Sequence, residues 1–391
     1  MEPPDSTPDR DQDRWNISFA GCGFRCVYYL GALSCILQHV PQLVHGASRI
    51  CGASSGCLVA AALTVGIPIE QFCGDVLNMA REARKHALGV FHPTFSLLRA
   101  VRDSLLGRLP ADAHLRASGK LCVSLTRLAD GENVLVSQFD SREELIQVLM
   151  CSCFFPVYCG FVPPSYRGVR YMDGALSNNM PLFEQRNTIT VAPFSGESDI
   201  CPREGTFNFF EAHYGNVSIQ VNTGNVHRIC TSFLPPRLET LAEICHNGYL
   251  DALRFLGERD LRPAGPAVKM DRIVLCCEPA AEEEERRKTM VNGPALHRGE
   301  HHWLDLKLVE NLPISFKRVL CEACRDSRDG ADLLPVRVLV DLLTFVLLPV
   351  ELTAVLVRSV VLSGCTAIGR LLMTTAGRRG AEEGRTPTGL H

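Results

Sequence analysis

The chain has 391 residues, enough for one large or two ordinary domains with a sizeable core, and 46% of them are hydrophobic. A net charge of −3 sets aside nucleic-acid binding through a global field, and the charged, proline-bearing stretch 1–14 lacks the apolar run of a secretory signal. The 18 cysteines therefore read as thiols of a reducing compartment and not as a disulfide scaffold.

In chain order, residues 1–14 read as a disordered leader, and Trp15-Asn16-Ile17-Ser18-Phe19-Ala20 alternates as a strand does. It runs into Gly21-Cys22-Gly23-Phe24-Arg25-Cys26. Tyr28, Leu30, Leu33, Ile36 and Leu37 then recur at helical spacing over 27–40, until Pro41 closes the helix. A strand, a glycine-rich turn and a helix N-terminus gather backbone N–H groups around one point, which suits an anion. A phosphate loop needs a third glycine or a Gly-Lys-Ser/Thr ending, and Cys26 stands where that glycine would be. An oxyanion hole needs only two or three N–H groups aimed at one oxygen, so Gly21, Cys22 and Gly23 are its candidates.

The next unit is Arg49-Ile50-Cys51-Gly52-Ala53-Ser54-Ser55-Gly56, followed by a small-residue helical run to Leu63. A short apolar strand, a Gly-x-Ser-x-Gly pentad and a helix outline a nucleophile elbow, in which a sharp turn lifts the serine out of the sheet. Gly52 and Gly56 flank Ser54 because side chains there would strike the neighbouring strand and helix. Ser54 is the candidate nucleophile. Gly66-Ile67-Pro68 ends that helix, a mixed-charge helix follows over 69–86, and a further one before Leu109 takes Thr94 or Ser96 as its cap. Segments 121–126 and 134–139 flank Asp130-Gly131 as a hairpin, and Ser141 with Glu144 starts a helix over 141–150. Strands alternating with helices over short connections imply an α/β domain around a mainly parallel sheet.

A strand-like Arg170-Tyr171-Met172 leads into Asp173-Gly174. The pair reads either as a plain Asx turn or as a carboxylate held at a loop apex beside Ser54. A serine hydroxyl is a weak nucleophile without a base. His213, His227 and His246 follow in the chain order of hydrolase triads, but none sits in a strand-end loop. His246 falls in an apolar helical stretch, 241–256, where the pattern predicts an exposed or capped side chain. A carboxylate acting directly on the serine is the alternative, workable if desolvation raises its basicity.

Gly21-x-Gly23, Gly52-x-Ser54-x-Gly56, and Asp173-Gly174 with Asn179 and Pro181 close behind together resemble the patatin-like phospholipases. Stretches 19–24, 125–134, 156–160 and 193–202 narrow the resemblance to the adipose triglyceride lipase and adiponutrin subgroup, dense over 15–256. The resemblance implies a three-layer α/β/α sandwich and a Ser-Asp dyad, with Ser54 as nucleophile, Asp173 as general base, the turn at Gly21, Cys22 and Gly23 as oxyanion hole, and no metal or organic cofactor. It also implies hydrolysis of acylglycerols or phospholipids, triacylglycerol first, through an acyl-enzyme at a cytoplasmic lipid-droplet surface. Transacylation to a second glycerolipid is one competing reading. Another is a feebly catalytic droplet protein acting through a partner lipase or coactivator. Arg25-Cys26 replaces the subgroup's Leu-Gly, and a side chain at 26 predicts a displaced turn and weaker hydrolysis; Ala175 replaces the commoner second glycine after the aspartate.

The expected organisation is a leader (1–14), a catalytic core (15–185), an extension packed on it (186–260), a linker and charged region (261–330), a helical hydrophobic lipid-surface segment (331–375) and a tail (376–391). Residues 282–288 are a solvated charge run, and Cys321-Glu322-Ala323-Cys324 lacks the second ligand pair of a zinc site. Over 333–373, Leu and Val dominate, with Asp341, Glu351 and Arg358 as interruptions, so no charge-free span reaches the ~18–20 residues of a membrane-crossing helix. A segment lying in a phospholipid monolayer and a buried helix pair both fit, and the resemblance favours the former.

Overall fold

Strand β1 (Trp15–Phe19), a 3-10 turn (Gly23–Cys26) and helix α1 (Val27–His39) follow one another where the glycines and Pro41 put them. After the short α2 (Gln42–His45) come β2 (Arg49–Gly52), α3 (Ser55–Val65), α4 (Ile69–Arg84), α5 (Leu97–Arg108) and α6 (Ala113–Ala117). Then β3 (Leu121–Arg127) and β4 (Asn133–Val136) form the hairpin, and α7 (Arg142–Ser152), β5 (Ser165–Tyr166) and β6 (Val169–Asp173) lead to the Asp-Gly turn. Strands β7 (Asn187–Val191), β8 (Glu211–Tyr214) and β9 (Val217–Gln220) and helices α8 (Thr223–Phe233) and α9 (Leu238–Glu258) complete the folded part. This computed structural model describes residues 15–86, 88–183, 187–203, 210–261, 312 and 316–320. The leader, the 282–288 charge run, Cys321 and Cys324, the 333–373 segment and the tail lie outside them.

Local chemistry fixes the helix starts. Ser96 Oγ accepts the Arg99 N–H (3.3 Å), and Ser141 Oγ accepts the Glu144 N–H (3.0 Å). The Glu144 carboxylate reaches back to the Asp140 N–H, one residue earlier than in a standard capping box, and pairs with Arg167 at 2.6 Å.

The seven-stranded sheet runs β5-β6-β3-β2-β1-β7, with β4 also on β3. The run β7-β1-β2-β3 is parallel, while β4, β5 and β6 join antiparallel. Helices flank the sheet, with α3 on β1, β2 and β3 and α7 on β3 and β6, so the fold is the expected α/β sandwich. Strand β7 lies beyond residue 185 yet pairs with β1 through five residue pairs, so it forms an edge of the central sheet. Helix α1 is buried at every position from 27 to 36, as an all-round apolar helix must be, and α9 lies along it. The Tyr28 hydroxyl donates to Asp251 across that contact at 2.6 Å.

This contact also corrects the reading of His246. The apolar face of α9 turns onto α1, so His246 is buried, and burial lowers its pKa. Every cysteine among the described residues is a free thiol, and none of their helices is long and apolar enough to cross a membrane.

Candidate active site

The strand register brings Ser54 and Asp173 together. Gly52 stands opposite Val123 on β3, and Asp173 stands opposite Leu125. Two residues of travel past Gly52 therefore carry Ser54 to the level of Asp173.

Ser54 is held at φ 52°, ψ −133°, a conformation that costs a non-glycine residue about 1–3 kcal/mol. Its N–H donates to Ser152 Oγ (3.0 Å), which in turn donates to the Ser124 carbonyl (2.8 Å). The flanking glycines are there for space. A Cβ on Gly52 would lie 2.5 Å from the Gly56 carbonyl carbon, and one on Gly56 would strike the Phe19 carbonyl oxygen. Both obstacles are backbone and cannot rotate away. Gly56→Ala is therefore expected to destabilise the fold by at least about 2 kcal/mol, read as a lowered midpoint in chemical denaturation.

Asp173 ends β6 and is almost wholly buried. Its carboxylate accepts the Ala175 N–H at 2.9 Å, so the Asx turn and the candidate site are the same structure. Burial pushes the carboxyl up to about 7, against the lowering pull of the neighbouring Ser54 side chain and of the Ala175 N–H. Behind it, the Thr126 hydroxyl donates to the Asp173 carbonyl (2.8 Å), and the Asn133 amide donates to Ser124 Oγ (2.8 Å) and Ser177 Oγ (3.1 Å). Asn133 belongs to the stretch that carried the resemblance, but its sequence setting gives no sign of this bracing role.

The glycine turn is arranged differently from a bare trio of donors. The Gly21 N–H donates to Asn179 Oδ1 (2.6 Å) and the Cys22 N–H to Ser55 Oγ (3.1 Å), so two of the three candidates are engaged internally. Gly23 adopts φ +54°, where a side chain would strike the Ser232 carbonyl of α8. Neither the Gly23 N–H nor the Ser55 N–H has an acceptor among the described residues. Cys26 sits at φ −57°, ψ −18°, a backbone conformation open to any residue, and its side chain is buried. Arg25 is buried as well and donates to Thr231 Oγ1 at 2.9 Å, tying the turn to α8; burial, with Arg228 nearby, lowers its pKa to about 10.

Ser54 and Asp173 face a cavity of about 480 Å³. Its walls come from α4 (Phe72, Val76, Met79), α5 (Leu97, Leu98, Val101), α8 (Ile229, Phe233) and the loop after α7 (Phe155, Tyr158). Tyr214 and Ile219 of the β8–β9 hairpin close one side, and Asn216 of that hairpin donates to Asn178 Oδ1 at 3.0 Å, bracing the loop beyond Asp173. Among the described residues, Asp173 is the one charged residue in the lining, and no histidine reaches it. His213 and His227 are exposed, His246 is buried on α9, and none of the three lines the cavity at Ser54. Glu197, Glu211 and His213 could hold a cation at the surface, but none of them lines the cavity.

Comparison with known proteins agrees with this architecture. The family model for patatin-like phospholipase matches residues 17–184. Patatin-like phospholipase domain-containing protein 2 of Rattus norvegicus is 43% identical over 344 residues, covering 87% of this chain and 70% of that one. Human 1-acylglycerol-3-phosphate O-acyltransferase PNPLA3 is 47% identical over 247 residues, covering 63% and 51%. Human patatin-like phospholipase domain-containing protein 5 is 44% identical over 251 residues, covering 64% and 58%. The chain therefore belongs to the patatin-like phospholipase family and is a lipid ester hydrolase of that family.

Proposed function

We propose that the chain is a serine acyl hydrolase of neutral acylglycerols, triacylglycerol first, working through a Ser54–Asp173 dyad. Ser54 Oγ attacks the ester carbonyl carbon and its proton passes to Asp173. The resulting oxyanion takes hydrogen bonds from the Gly23 and Ser55 N–H groups, which have no acceptor among the described residues. Collapse breaks the ester C–O bond, and Asp173 returns the proton to the departing glyceride alkoxide. Water then gives a proton to Asp173 and attacks the acyl-enzyme carbonyl; the acyl–Oγ bond breaks, Asp173 returns the proton to Ser54 Oγ, and the fatty acid leaves.

The observation that carries this reading is the cavity lining. Apart from Asp173 the described residues of the lining carry no charge, so it suits a neutral acyl chain, and none of them offers a cation to an anionic headgroup. Asp173 supplies the base: with a carboxyl raised to about 7, it is far better matched to a serine proton than an ordinary aspartate. Triolein hydrolysis by wild type, Ser54→Ala and Asp173→Asn tests it, with turnover expected to fall at least about 100-fold in both variants.

The relative named as a 1-acylglycerol-3-phosphate O-acyltransferase favours a second reading, in which a glycerolipid hydroxyl replaces water at the acyl-enzyme. Labelled monoacylglycerol as acceptor decides it: label in diacylglycerol means transacylation, and fatty acid alone means hydrolysis. The proposed place of action is the cytoplasmic lipid-droplet surface, reached through residues 333–373, with a protein coactivator as the proposed partner. A chain truncated after Gly330 is expected to lose droplet localisation in cells, and full retention would reject that segment's role.

A further inference from the structure

The loop after α7 carries no charged residue from 154 to 166, and three of its apolar side chains stand in solvent: Phe161 is 85% exposed, Val162 69% and Val157 66%. Exposed single hydrophobics are ordinary, but these three sit together on one loop. That loop is also a wall of the cavity, through Phe155, Tyr158 and Cys159.

The loop is built to keep this shape. Val157, a β-branched residue, is held at φ +70°, a conformation costly for such a side chain. The Val157 N–H donates to the Gly160 carbonyl and the Cys159 N–H to the Phe155 carbonyl, both at 2.8 Å, closing a tight turn. The Tyr158 hydroxyl donates to the Phe233 carbonyl at 2.6 Å, and its ring stacks edge-on against Phe91 and Phe233, at 5.8 and 5.5 Å. Phe91 and Phe233 are themselves exposed, so an apolar platform surrounds the tip.

We propose that the 155–162 loop, with Phe91 and Phe233 beside it, inserts into a lipid surface and seats the cavity directly on it. The inference rests on the lipid-ester reading of the cavity. A water-insoluble acyl chain entering a wall of Phe155 and Tyr158 has to come from a lipid phase, and the side chains continuous with that wall are the exposed ones. A protein partner would account for exposure alone; continuity with an acyl-chain cavity points to lipid. This contact lies in the folded domain and is separate from residues 333–373.

The test uses the full chain with Phe161→Trp and Phe161→Asp; at 85% exposure neither change threatens the fold. In phosphatidylcholine vesicles, the emission of the introduced tryptophan is expected to shift to the blue and to be quenched when the lipid acyl chains are brominated, relative to wild type under the same conditions. Phe161→Asp is expected to hydrolyse phosphatidylcholine-coated triolein at least about tenfold more slowly and a soluble short-chain p-nitrophenyl ester at the wild-type rate. Absence of bromine quenching overturns the proposal, as does an equal loss on both substrates. If wild type cleaves neither substrate while the Phe161→Trp variant is still quenched, the hydrolase reading fails and the lipid contact stands.

Discussion

Ser54→Ala is expected to lower kcat/KM on triolein by at least about 10,000-fold and to abolish labelling by a fluorophosphonate, because the proposed acyl-enzyme forms on Ser54 Oγ. The stability of the variants carries independent information about the elbow. Alanine keeps the Cβ that makes φ 52° unfavourable, whereas glycine tolerates it. Ser54→Gly is therefore expected to be more stable than Ser54→Ala by about 1 kcal/mol. Equal stabilities would mean that the strained geometry at Ser54 is wrong, and residual turnover in both variants would move the nucleophile elsewhere.

Asp173→Asn is expected to cost about 100- to 10,000-fold in kcat, the range for losing a general base, while making the protein more stable at alkaline pH. The second effect follows from the raised carboxyl. Asp173 holds its proton to about 7 when folded and to 3.8 in its ordinary state, so the folded state binds the proton more tightly. Its contribution to stability is fully present below about pH 4 and is lost as pH rises through about 7. With ~1.4 kcal/mol per pKa unit, the ionised carboxylate costs up to about 4 kcal/mol at pH 8, which the neutral amide avoids. The asparagine can still accept the Ala175 N–H. In urea titrations, wild type and variant should converge below about pH 4, separate progressively between about pH 4 and 7, and stay apart above that; a variant less stable at pH 8 would contradict the burial assigned to Asp173.

The parts of this site that the sequence makes legible are those governed by local chemistry. Ser54 between Gly52 and Gly56, the caps at Ser96 and Ser141, and the Asp173-Gly174 turn each have short-range causes in sterics or backbone donors. What depends on approach between distant segments is not written locally. The bond from Gly21 to Asn179 joins residues 158 positions apart and removes one N–H from the glycine turn, as Ser55 removes another at Cys22. Those two contacts move the free donors to Gly23 and Ser55. The apolar stretch around His246 has a helical period, but its period cannot say that α1 lies against that face. Helix α4 reads as a mixed-charge segment and α5 as a plain capped helix, and only their convergence with α8 makes the cavity. The central parallel strands are foreshadowed by strand-helix alternation; the antiparallel β5 and β6 depend on the tight Arg167-Gly168 turn, both residues at positive φ.

The Ser54–Asp173 dyad is tested most directly by the rate at which a fluorophosphonate labels Ser54 as a function of pH, followed by intact-protein mass in wild type and Asp173→Asn. The wild-type rate should rise along a single titration with an apparent pKa of about 7, and the asparagine variant should label at least about 100-fold more slowly with no inflection there. Labelling of Asp173→Asn at the wild-type rate, or with the same inflection, would contradict Asp173 as the base.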